Sequence, residues 1–206
     1  MSLNRKQQER ETRKKLILEA ALKVFKDQGL ERATMDEIAG VAGFGKATLY
    51  YYYSSKEEIF NTILLEGWKS MWLNLDNLDV EGKSPRKAFI SLLKRIAELV
   101  NEERALYEFL FFAPKALPAE HREHGEWKIY QTKLYDLLTI LIDAGIREGQ
   151  FPQMDTRIVL KTMGGIFHGL VFLGDDRDSI TEEQIETMLE TLLKKEQVPT
   201  NIHGHG

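Results

Sequence analysis

The sequence predicts an all-α protein of about nine helices. Two observations carry that expectation. Apolar residues recur three and four positions apart along almost the whole 206-residue chain, and no segment alternates as a half-buried strand would. The breaks between periodic segments fall on capping boxes, prolines and glycines, which are the start and stop signals of helices. The composition, 43% apolar and 29% charged, is that of a globular chain able to bury a core.

Glu11–Gln28 carries Leu16, Ile17, Ala20, Ala21, Val24 and Phe25 on one helical face, and Gly29 is suited to end it in left-handed backbone. Thr34 and Glu37 have the spacing of a capping box. They open a short helix with Met35, Ile38, Ala39 and Ala42 inward, broken at Gly43. A second short helix runs from Lys46 to Tyr52, and Ser54 or Ser55 caps a longer one from Lys56 to Leu73. Residues 79–83 form a polar link. Ser84 and Pro85, an N-cap followed by proline at the first helical position, begin a helix to Asn101. An aromatic helix covers Glu102 to Phe112, Pro114 and Pro118 bracket a loop, and a long helix ends near Gly149. Asp155 caps the next, to Leu173, and residues 174–178 read as a turn. Thr181 and Gln184 form a second capping box, opening a helix with Ile185, Met188, Leu189, Leu192 and Leu193 on one face. Val198–Gly206 is expected to be a frayed tail.

Several functions are excluded early. No run reaches the roughly 18 apolar residues of a membrane span. Met1–Lys15 lacks the apolar segment of a signal peptide, and the chain has no cysteine, so a cytoplasmic protein without disulfides is expected. No phosphate loop, nucleophile elbow or zinc-protease motif is present. His121 and His124, and His203 and His205, are close pairs without further ligands, so no metal and no cofactor are expected. The charge is uneven. Met1–Lys56 holds eleven Lys or Arg against seven Asp or Glu, a net of +4, while the remainder carries a net of -8. A basic head on an acidic body points the head at an anion such as nucleic acid.

The stretch that carries function is Thr34–Lys56. Two short helices joined by a glycine-containing turn are the sequence form of a helix-turn-helix. Lys46, Thr48, Tyr50, Tyr51 and Tyr52 crowd the second helix, and only Leu49 and Tyr53 read as clearly inward. Thr and aromatic residues cost helix propensity on a surface helix. One short helix cannot bury every face, so part of this set is left outward. Lysine and phenol bond phosphates, and Thr and aromatic faces touch thymine methyls in the major groove.

The run Ile17–Phe60, ILEAALKVFKDQGLERATMDEIAGVAGFGKATLYYYYSSKEEIF, resembles the DNA-binding domain of TetR/AcrR-type transcriptional regulators. The shared features include the Ala-Ala-x-x-x-Phe helix, the Gly29 turn, Thr34, Gly43, Lys46 to Tyr50, an aromatic at 53 and Ser55-Lys56-Glu57. The resemblance implies a three-helix helix-turn-helix domain over 1–55 and a helical effector-binding and dimerisation domain over 56–206. It implies that Lys46, Ala47 and Thr48 open the recognition helix and that Thr34, Tyr50, Tyr51, Tyr52 and Lys56 meet phosphates and base edges. Gly45 departs from the family's frequent capping Ser.

The partners expected are a double-stranded DNA operator, a second copy of the chain and a small lipophilic effector, with no membrane. Trp68, Trp72, Phe89, Phe109, Tyr130 and Phe167, with His168, are the expected lining of an apolar effector pocket, because so many large rings are hard to pack without a gap. Ile185, Met188, Leu189 and Leu192 are the expected dimer stripe, with Gly165 and Gly169 admitting a close second helix. The competing readings are a DNA-binding dimer without an effector, and a helical enzyme using Glu66 or Glu108.

Overall fold

The computed structural model describes residues 5–78, 82–116, 125–172 and 180–192. Among these residues it has no strand and nine α-helices: α1 Arg5–Arg32, α2 Met35–Ala42, α3 Lys46–Tyr52, α4 Lys56–Asp76, α5 Pro85–Glu102, α6 Arg104–Phe112, α7 Lys128–Arg147, α8 Thr156–Phe172 and α9 Glu182–Leu192. A short 3-10 turn, Ala113–Ala116, follows α6. Pro118, His121, His124, the turn at 174–178, Leu193, His203, His205 and the tail lie outside the described residues.

The expected caps form. Thr34 accepts from the Glu37 N–H while Glu37 reaches back to the Thr34 N–H, and Gly43 ends α2 in left-handed backbone at φ 73°. Ser55, rather than Ser54, caps α4 by accepting from the Glu58 N–H at 3.2 Å. Thr181 and Gln184 close the second box at 2.9 and 3.2 Å. Two boundaries differ from the sequence reading. Gly29 has the expected positive φ of 79°, yet it kinks α1 and the helix resumes through Arg32. The start of α1 lies at Arg5 rather than Glu11, because long polar side chains favour helix without needing a buried face. An exposed Arg5–Glu9 pair at 3.4 Å spans one turn there.

The chain divides into two compact units, Met1–Leu78 with Leu99–Tyr135, and Asp79–Glu98 with Asp136–Gly206. In the first, α1 packs on α2, α4 and α6, and α3 packs on α2. Phe25, Phe60 and Phe109 meet there, with centroids 5.4 Å apart for Phe25–Phe60 and 4.9 Å for Phe60–Phe109. Gly67 lets α4 and α6 approach, since a Cβ would stand 2.7 Å from Leu110 Cδ2. In the second unit Phe89 meets Phe151 edge to face at 5.9 Å, and Ile142, Ile146, Val159, Met163, Ile185 and Leu189 are buried. The expected division after residue 55 falls within the first unit, at the cap of α4.

Candidate functional site

Helix α3 is held by one fully buried anchor, Leu49, and by the buried Tyr53 at its C-terminal end. The rest of its surface is open. Tyr51 is 73% exposed and Tyr50 47%. Lys46 and Ala47 are exposed, while Thr48 and Tyr52 are half-buried. Tyr51 and Tyr52 stand edge to face with centroids 5.1 Å apart. The structure therefore brings Lys46, Ala47, Thr48, Tyr50 and Tyr51 onto one short, solvated helix behind a tight turn. No side chain caps α3 at Gly45.

The charges of this surface are not free. The Lys46 ammonium lies 2.8 Å from the Asp36 carboxylate across the turn and 6.0 Å from the Tyr50 ring. The hydrogen bond and charge of Asp36 raise the Lys46 pKa. Asp36 is a neighbour that the sequence reading missed; its signal was an acidic residue in the first turn of α2, ten positions before a lysine. Lys56 departs further from expectation. Its ammonium donates to the Glu31 and Ala33 carbonyls, both at 2.9 Å, and is half-buried. Two of its three protons tie the end of α1 to the start of α4, which leaves one for a phosphate. The Thr34 hydroxyl is likewise engaged with Glu37 Oε2 at 2.8 Å. Hydrogen bonds from Thr34 and Gln28 lower the Glu37 pKa. Burial pushes the Tyr53 phenol up to about 12, helped by the charges of Glu66, Glu58 and Glu11.

The residues expected to line a pocket divide between the two units. In the first, Trp68 is buried, edge to face with Phe111 at 5.3 Å, and its indole N–H has no hydrogen-bond partner among the described residues. The Lys133 ammonium lies 5.5 Å from the Trp72 ring and 5.7 Å from the Tyr130 ring, so it joins those two. Phe109 belongs to the cluster with Phe25 and Phe60. In the second unit Phe89 and Phe167 are buried, and the half-buried His168 ring leans on Phe172 at 5.1 Å. Two recesses lie among the described residues, and none of these side chains lines either one. One, of about 240 Å³, runs along Leu18, Leu22, Ile63, Glu66 and Leu106. The other, of about 450 Å³, is bounded by Ile140, Ile146, Met154 and Thr156.

The expected dimer stripe lies partly against its own chain. Ile185, Met188 and Leu189 are buried within a single chain. An apolar stripe buries against the nearest apolar surface, and its periodicity does not say whether that surface belongs to its own chain or to a second copy. Of Leu192 only its place in α9 is described. On α8, Gly165 is exposed and Gly169 half-buried, and nothing stands within 4 Å of a Cβ built on Gly164 or Gly165. Ile158, 57% exposed, lies on the same face as Gly165 and Gly169 at i, i+7 and i+11.

The two carboxylates of the enzyme reading do not come together as a site. Glu108 hydrogen-bonds Lys26 at 2.8 Å and Arg104 at 3.1 Å. Burial opposes its charge, but these two cations outweigh that and lower its pKa. Glu66 stands on the rim of the α1–α4 groove, where burial raises its pKa. No group of three or more candidate metal ligands occurs among the described residues. No helix among them is long and apolar enough to cross a membrane.

The profile of the bacterial regulatory proteins of the tetR family matches residues 17–63, which run from the first buried residue of α1 into α4. The chain is 27% identical to the HTH-type transcriptional regulator YhgD of Bacillus subtilis over 190 residues, 89% of this chain and 95% of that one. Its fold is similar to that of the TetR family transcriptional regulator PfmR from Thermus thermophilus, with a TM-score of 0.69, 22% identity, and 88% and 98% of the two chains covered. It is similar also to the transcriptional regulator FadR from Bacillus subtilis, solved in complex with stearoyl-CoA, with a TM-score of 0.68, 18% identity, and 87% and 97% covered.

Proposed function

We propose that this chain, whose residues 17–63 match the tetR family of bacterial regulatory proteins, is a DNA-binding transcriptional regulator rather than an enzyme, and a cytoplasmic homodimeric repressor. A small lipophilic effector releases it from a near-palindromic operator. The observation that carries this reading is the exposed face of α3, where Lys46, Ala47, Tyr50 and Tyr51 stand clear of the core and Thr48 is half-buried beside them. Recognition helices of this kind enter the major groove by their N-terminal residues, and a two-fold dimer sets two of them one helical turn of DNA apart. Residues 1–55 serve DNA, and residues 56–206 serve dimerisation and effector binding. The exposed face of α8, with its glycines and Ile158, is the surface suited to a second copy. The Trp68 indole, which has no partner among the described residues, and the surplus of rings support an apolar pocket with a hydrogen-bond acceptor on its ligand. The stearoyl-CoA complex of a protein of the same fold supports the lipophilic class.

The mechanism is a difference of affinity between two states. An effector that binds better when the recognition helices are wrongly spaced weakens DNA binding by the same factor that DNA weakens the effector. The test is a salt titration of duplex binding followed by competition with lipophilic compounds that raise the melting temperature. Release of operator by such a compound supports the full reading. Operator binding that no thermal-shift hit alters leaves a DNA-binding dimer without a small-molecule effector.

A further inference from the structure

We propose that the first three turns of α1 form a cationic arm that grips the phosphate backbone of duplex DNA beside the groove entered by α3. The proposal rests on the DNA-binding reading and adds an element outside the helix-turn-helix.

The charge count locates the attraction. Residues 5–15 carry six Lys or Arg against two Asp or Glu, a net of +4. Residues 16–56, which contain the whole of α2 and α3, carry five against five, a net of zero. The positive character of the N-terminal region therefore resides in the arm. Within the motif the two lysines are compromised, Lys46 by Asp36 and Lys56 by two carbonyls. A protein gains most of its non-specific affinity for DNA by neutralising phosphates, so a head with no net charge in its motif must draw those cations from elsewhere.

The direction of the arm fits. At 3.6 residues per turn, Lys6, Arg10, Arg13 and Lys14 fall on the same face of α1 as Ile17, Ala21 and Val24. That face is buried from Ile17 onward, against α2 and α4, and turns cationic where the core ends. Glu9 and Glu11 sit to either side of it. None of residues 5–16 is buried, and they extend roughly 18 Å of helix with no core to serve. Arg10 and Arg13 make no ion pair among the described residues. The root of the arm also lies beside the end of α3. Glu11 acts on the Tyr53 phenol there, and both Glu11 and Lys14 act on Glu66 in α4.

The experiment compares the full chain with R10A/R13A and with K15A, titrating each with salt on a random-sequence duplex. Lys15 points away from the cationic face and pairs with Glu19 at 3.7 Å. Each phosphate contact contributes about 0.9 to the slope of log affinity against log salt. R10A/R13A is expected to flatten that slope by about 2, with an unchanged melting temperature. Over a fourfold rise in salt the unaltered chain then loses about tenfold more affinity than the variant. K15A is expected to leave the slope in place. Equal slopes for R10A/R13A and the unaltered chain overturn the arm alone. An equal loss in K15A overturns its directed face. An unaltered chain that binds no duplex even at low salt overturns the DNA-binding reading and the arm with it.

Discussion

Asp36 sits at the N-terminus of α2 and holds Lys46, on the outer face of α3, at 2.8 Å. In the free protein this exposed pair contributes little stability, because solvent screens it. If Lys46 meets DNA, the pair acts against binding, since a phosphate must displace Asp36 and approach its charge. D36N is therefore expected to raise duplex affinity severalfold, and K46A to lower it, both measured by fluorescence anisotropy at fixed salt. If D36N binds no better than the unaltered chain, Lys46 does not meet phosphate. Glu37 supplies a pH dependence. Hydrogen bonds from Thr34 and Gln28 lower its pKa below the ordinary 4.5. Its contribution to stability is complete above that ordinary value and fades as the pH falls through the lowered one. E37Q should flatten the acid limb of the unfolding curve below pH 4.5, and parallel limbs would assign the acid transition elsewhere. The capping box was legible in the sequence because Thr34 and Glu37 are three residues apart and the motif is local. The Asp36–Lys46 pair and the Lys56 ties were not, because they depend on how the helices turn back on one another.

At the scale of elements, glycines in helices test the packing directly. A Cβ on Gly145 would stand 2.4 Å from Phe151 Cδ2, a stiff ring in the core of the second unit. Overpacking of this kind costs about 1–3 kcal/mol, more than the roughly 1 kcal/mol that alanine gains in helix propensity. G145A should lower the melting temperature in calorimetry. Gly165 is the opposite case, with open space around it in a single chain. If α8 meets a second copy at that point, G165A weakens the dimer in sedimentation despite its better propensity. A dimer that stays intact and gains about 1 kcal/mol moves the contact to another face. The same reasoning separates Leu189 from Ile158. Leu189 is fully buried in its own chain, so L189E should unfold the second unit. I158E should leave circular dichroism unchanged and split the dimer. Helix positions were legible almost throughout, because caps and periodicity are local. The start of α1 was not, since helix propensity alone carried it past the last apolar residue. The partner of the α9 stripe was not legible either, because a stripe records that a face is buried and not by whom.

At the scale of the whole molecule, the tryptophans have an optical consequence. All three, Trp68, Trp72 and Trp127, belong to the unit made of Met1–Leu78 and Leu99–Tyr135, and the other unit has none. Trp68 and Trp127 are both buried, each with an indole N–H lacking a partner among the described residues. Their emission should be blue-shifted and move to the red only when that unit opens. Helical ellipticity comes from both units. Denaturant titration followed by the two signals thus resolves the units without labels. Coincident curves would mean that the chain melts as one cooperative body. A blue-shifted spectrum that outlasts part of the ellipticity would mean that the tryptophan-free unit opens first, leaving the helix-turn-helix folded.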